Sequence, residues 1–129
     1  MARVWDGELV PLSVDQLAEK TNAVFLALPD PVTAEVVPAL VERGVRVFDL
    51  SGTFRLRDSE QRAKWYPSAS DAVASTAVYG LPEHCGDALR NATLVACPGC
   101  YPTAALLALR PLIAADLLAD DLIIDAKSG

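Results

Sequence analysis

Histidine is almost missing from this sequence: one residue, His84, among 129. With three cysteines beside it, a zinc site would need nearly every histidine and cysteine in the chain. His84 and Cys85 are adjacent, which is an awkward geometry for two ligands of one metal. Long apolar runs are also missing, and none approaches the roughly 20 residues of a membrane-spanning helix. Basic residues are scarce, 11 Lys and Arg against 17 Asp and Glu, for a formal charge of −6. That balance excludes the broad basic surface that tracks nucleic-acid phosphates. The first residues form no continuous apolar stretch of the signal-peptide type. Three cysteines, an odd number without a secretion signal, imply free thiols in a reducing compartment, so a cytoplasmic protein is expected.

What is present is a globular composition, 52% hydrophobic and 22% charged, in a chain long enough for one core. Ser13 with Gln16 has capping-box spacing and opens a short helix to Lys20. The apolar run 23–29 reads as a buried parallel strand, covered by helices on both faces. Asp30-Pro31 caps and starts a helix running towards Gly44, with Pro38 predicting a kink. A second buried strand follows at 45–50, completing a βαβ unit. A short helix is expected over 58–65, a loop-like stretch from Pro67 to Gly86, a strand at 91–97 and a helix from Tyr101 to Ala115. A last strand is expected over 121–126. This alternation predicts an α/β fold with a mostly parallel sheet, whose ligand site lies beyond the carboxyl ends of the strands.

Three such ends carry punctuation: Leu28-Pro29-Asp30, Leu50-Ser51-Gly52 and Cys97-Pro98-Gly99-Cys100. Cys100 falls at a helix start, where unpaired backbone N–H groups favour an anion and could serve a developing oxyanion. The competing reading is a small buried hydrophobe. Cys97 and Cys100 also form a Cys-x-x-Cys motif, although nothing else follows the order of a thioredoxin-like fold. Arg55 follows a strand end in a glycine-containing turn, where its planar guanidinium suits phosphate or carboxylate. Arg57 continues that turn; a salt bridge to Asp58 is the simpler expectation for one of the pair, and Arg57 is expected to matter less than Arg55.

The segments "DLSGTFRLRD" at 49–58, "YGLPE" at 79–83, "CPGCYPTAALLAL" at 97–109 and "IIDAKSG" at 123–129 resemble the N-acetyl-gamma-glutamyl-phosphate reductase family of arginine biosynthesis, related to aspartate-semialdehyde dehydrogenase. The likeness spans nearly the whole chain from Ala23. It implies a Rossmann-like parallel sheet, an incomplete nucleotide-binding domain over 1–97, running into the start of an α+β catalytic domain over 98–129. It implies a small-molecule acyl phosphate as substrate, NADP as cofactor, no metal, and a homo-oligomer when full length. By the same resemblance Cys100 is the nucleophile that forms a thioester, and Arg55 engages the substrate phosphate. Leu28, Pro29, Ser51, Gly52, Ser128 and Gly129 border the cofactor.

Four departures accompany the resemblance. The family's Gly-x-x-Gly phosphate loop is absent, and the family's catalytic histidine has no counterpart at His84. Cys97 replaces an asparagine, and Asp30 stands where histidine is usual. The first two lead us to expect a piece of the enzyme that alone binds NADPH poorly and does not turn over. Alternatives from the sequence are the related acyl-phosphate reductase of lysine biosynthesis, aspartate-semialdehyde dehydrogenase, and an inactive fragment serving as a binding module.

Overall fold

A helix with buried residues at 33, 36, 37 and 40 has one apolar face, and that face organises the core. In the computed structural model, which describes residues 7–118 and 121–127, this helix is α2, Asp30–Glu42. It lies between β1 (Ala23–Leu26) and β2 (Arg46–Asp49) in sequence. Its Thr33, Val36, Val37 and Leu40 pack with Val24, Leu26, Val45, Val47 and Leu94. The helix is continuous through Pro38, so the expected kink does not interrupt it. It ends at Gly44, whose φ of +77° suits only a residue without Cβ strain. The Gly44 and Val45 amides there donate back to the carbonyls of Val41 and Leu40.

Among the described residues, four strands form one parallel sheet in the order β1-β2-β4-β3, with β3 at Val78–Tyr79 and β4 at Leu94–Ala96. The α/β class and parallel sheet are as the alternation of elements predicts. α1 spans Val14–Lys20, and the Ser13 hydroxyl accepts from the Gln16 amide at 3.3 Å as its capping spacing requires. α3, Ser59–Trp65, is capped by Asp58, which accepts from the Gln61 amide at 2.8 Å. Two one-turn helices, α4 (Asp71–Ala74) and α5 (Pro82–Cys85), and a 3-10 turn at Gly86–Leu89 lie in the stretch expected to be loop. The last helix, α6, runs Cys100–Ala114.

Three expectations fail. β3 falls in the stretch expected to be loop, because its two residues are too few to show a pattern. Residues 121–127 form no strand; Ile123 is 93% exposed, and no described strand lies beside this segment to supply hydrogen bonds. The sheet is also not fully covered on both faces. Phe25 is 74% exposed, stacked on Phe48 with ring centroids 4.7 Å apart, and the Arg46 guanidinium lies over the Phe48 ring. α2 packs against β2 on the opposite face, while on this one Val95, in register with Phe48, is buried and Phe25 at the β1 end is left open.

Candidate active site

Parallel pairing brings every strand's carboxyl end to one edge, so the loops that follow are neighbours whatever their separation in sequence. Backbone bonds stitch them together. The Leu50 amide donates to Leu26 O, the Cys97 amide to Asp49 O, and the Gly80 amide to Ala96 O, each at 2.8 Å. Four strand ends therefore form one rim.

Asp30 does not cap its own helix. Its carboxylate accepts from the Gly52 amide at 2.9 Å and from the Thr53 hydroxyl at 3.0 Å, fastening the start of α2 to the turn after β2. Gly52 is held beneath Tyr66, and a Cβ there would overlap the Tyr66 ring. Asp49, at the end of β2, is fully buried. Its Oδ1 accepts from the Ser51 amide at 2.8 Å, while Oδ2 has no partner among the described residues. Burial pushes this carboxyl above the ordinary carboxylate range; hydrogen bonds from Ser51 and the charge of Arg55 oppose the shift, and Asp30 adds to it.

Arg55 is the brace of the rim. Its Nε donates to Cys97 O at 2.7 Å and its Nη2 to Leu50 O at 2.8 Å. A Cβ built on Gly99 would stand 3.4 Å from its Nη1. The guanidinium thus sits against the loop that delivers Cys100. Two of its five N–H groups are spent on carbonyls, which leaves three to offer a ligand.

Cys100 is the first residue of α6 and is exposed. Of the amides in that first turn, Thr103 N–H is bound to Gly99 O at 3.0 Å and Pro102 has none. The amides of Cys100 and Tyr101 are left as donors. Cys97 is half-buried just past β4. Burial raises its thiol above the ordinary range, the charge of Asp49 adds to this, and Arg55 works against it. Cys85 is also half-buried, its thiol donating to Leu81 O at 2.9 Å. The three thiols are free.

The structure therefore brings Arg55, Ser51, Gly52, Leu28, Pro29 and Cys100 to one rim; Ser128 and Gly129 lie outside the described residues. Leu28 is half-buried, and Pro29 and Leu50 are exposed. These give an open apolar edge at adjacent strand ends, where parallel sheets receive dinucleotides. Sequence reasoning missed Asp49 and the Asp30 tie, because a buried carboxylate leaves no periodic signal. The salt bridge to Asp58 expected for one of the two arginines, Arg55 or Arg57, does not form among the described residues. Asp58 is occupied as the α3 cap, and among the described residues Arg57 has no ion pair.

Comparison with known proteins gives matches along most of the chain. Residues 4–92 match the family described as semialdehyde dehydrogenase, NAD binding domain, and residues 100–129 match the semialdehyde dehydrogenase dimerisation domain. The chain is 49% identical over 121 residues to an N-acetyl-gamma-glutamyl-phosphate reductase of Synechococcus elongatus, covering 92% of this chain and 34% of that protein. It is 51% identical over 121 residues to the reductase of the same name from Geobacillus stearothermophilus, covering 92% and 35%. For that of Thermosynechococcus vestitus the identity is 45% over 122 residues, covering 92% and 35%. The chain spans about a third of the length of these relatives.

Proposed function

The chain belongs to the semialdehyde dehydrogenase family, and from that premise we propose that it carries the nucleotide-binding and nucleophile segments of an acyl-phosphate reductase of arginine biosynthesis. The reaction is reduction of N-acetyl-L-glutamyl 5-phosphate to the 5-semialdehyde with release of phosphate, as the relatives' names suggest. The observation that carries this reading is Arg55, bonded to the carbonyls of both Leu50 and Cys97 and set against the turn into Cys100. A guanidinium with three N–H groups left over, set against the turn into an exposed thiol, supports a phosphate-reading role for Arg55.

In this reading the sulfur of Cys100 attacks the acyl carbon, and the new C–S bond replaces the C–O bond to phosphate. The leaving phosphate takes that electron pair, and the three remaining N–H groups of Arg55 meet its charge. The amides of Cys100 and Tyr101 face the oxyanion that forms on the carbonyl. Cys97, with its thiol held protonated by burial, is a bystander to the attack. Leu28, Pro29, Ser51 and Gly52 would hold the ring end of NADPH, which when bound supplies the hydride that reduces the acyl group. Three free cysteines support a reducing, cytoplasmic setting. The match of residues 100–129 to a dimerisation domain supports a homo-oligomer for the longer protein.

The test is competitive alkylation near pH 7 with peptide mapping. Cys100 should be modified first, because it is exposed and the other two thiols are half-buried. Faster labelling of Cys85 or Cys97 would remove Cys100 from the role. In the longer reading frame, Cys100→Ser should abolish phosphate-dependent reduction while leaving the fold intact.

A further inference from the structure

Asp49 takes no part in the reaction outlined above, yet it stands where a carboxyl is costly. It ends β2, a strand with a neighbour on each side, in register with Leu26 of β1 and Ala96 of β4. All three side chains are buried. Such a place suits an aliphatic residue, because a buried polar group costs free energy unless it is paired. Here Oδ1 has the Ser51 amide at 2.8 Å, and Oδ2 has no partner among the described residues. An orphaned buried oxygen calls for a reason beyond packing.

We propose that Asp49 is a positioning residue for Arg55: its carboxyl sets the turn from which the guanidinium reaches the Cys97 loop, and its charge competes with a bound anion for that guanidinium. The inference rests on the phosphate-reading role given to Arg55 above and deepens it by naming the residue that tunes it.

Asp49 and Arg55 hold the same two pieces of backbone from opposite ends. The peptide group between Leu50 and Ser51 donates its N–H to Asp49 Oδ1 and accepts at its C=O from Arg55 Nη2. Cys97 does likewise, its amide bonded to Asp49 O and its carbonyl to Arg55 Nε. One peptide plane thus lies between a carboxyl and a guanidinium, and hydrogen bonds in such a chain polarise one another. Among the described residues no ion pair joins the two groups, so the carboxyl influences Arg55 without using up its donors. The influence is visible in the other direction. Burial pushes the Asp49 carboxyl up, the Ser51 bonds and the Arg55 charge pull it down, and Asp30 at the start of α2 adds to the rise. Cys97, past β4, feels both Asp49 and Arg55. Coupling between two binding events is reciprocal, so an ionised Asp49 weakens whatever anion Arg55 holds.

The test follows the Arg55 Nε–H signal in NMR spectra of the isotopically labelled 129-residue chain, titrated with sulfate from about pH 4 to about pH 8, where the charge of sulfate is fixed. As pH rises through the folded-state value of Asp49, the carboxylate forms and sulfate should bind more weakly. Asp49→Asn lacks that step, so its sulfate affinity should match the parent's at low pH and exceed it by about threefold at high pH. His84, which shares a cleft wall with Arg55, titrates in both chains and cancels from the comparison. Asp49→Ala removes the acceptor of the Ser51 amide, and its Arg55 Nε–H should exchange with solvent about tenfold faster without any anion. Asp49→Asn should keep the parent exchange rate, since its amide oxygen can still accept from Ser51. A constant affinity ratio between parent and Asp49→Asn at every pH, or an unchanged exchange rate in Asp49→Ala, would overturn the proposal even with sulfate bound at Arg55. Sulfate leaving Arg55 unmoved in both chains would instead bring down the phosphate-reading role, and this proposal with it.

Discussion

Asp49 shows how one side chain couples the sheet to the site. Its carboxyl is fully buried, one oxygen has no partner, and burial raises its affinity for a proton. Above the ordinary value of 3.8 the unfolded chain releases this proton while the folded chain retains it. The contribution to stability is therefore complete at low pH and is lost as pH rises through the folded-state value. Asp49→Asn carries no titrating proton, so denaturation midpoints of variant and parent should separate progressively from about pH 4 upwards in favour of the variant. Parallel curves would show that Asp49 is ionised as readily in the fold as outside it. Gly52 makes a second expectation at this scale. Gly52→Ala drives a methyl into Tyr66 and should cost about 1–3 kcal/mol in chemical denaturation. Cys100 and Arg55 were visible in the sequence because each stands next to turn residues at a strand end. Asp49 was not, because its strand reads the same whether the last side chain points into the sheet or away from it.

At the scale of elements, Arg62 does for the outer loops what Arg55 does for the rim. It is 4% exposed and pairs with Asp71 at the start of α4, while donating to the carbonyls of Leu56 and Arg57. α3 thereby holds both α4 and the segment that follows the site turn. Arg62→Met keeps much of the aliphatic bulk but leaves two carbonyls without a donor, and should destabilise the chain by about 3 kcal/mol in urea unfolding. A cost below about 1 kcal/mol would mean that water replaces the guanidinium. Caps at Ser13 and Asp58 made α1 and α3 legible, and spacing made α2 legible. β3 exists only because β4 pairs with it, and residues 121–127 are not a strand because nothing described pairs with them. Hydrophobic runs report a segment's capacity for a strand, whereas pairing decides whether it becomes one.

Across the described residues, apolar surface is left uncovered in several places, among them the sheet face at Phe25 and helix α6. Phe25 stands out from one face of the sheet, and α6 has no buried residue along its length. Exposed apolar area of this kind is more than a lone monomer usually shows. The folded chain should enhance the fluorescence of a hydrophobic dye at neutral pH, and Phe25→Lys combined with Ile113→Lys should reduce the signal with the far-ultraviolet spectrum unchanged. An undiminished signal would place the dye elsewhere. The parallel topology carries a consequence in time. Arg55 and the Cys97 carbonyl it grips are 42 residues apart, and they meet only when β2 and β4 have paired. Contacts of that separation form late in folding, because a long loop must close before anything rewards it. On a ribosome, the turn bearing Arg55 is therefore made and exposed well before its partner loop is synthesised, and its grip on that loop is assembled by the closing of the sheet.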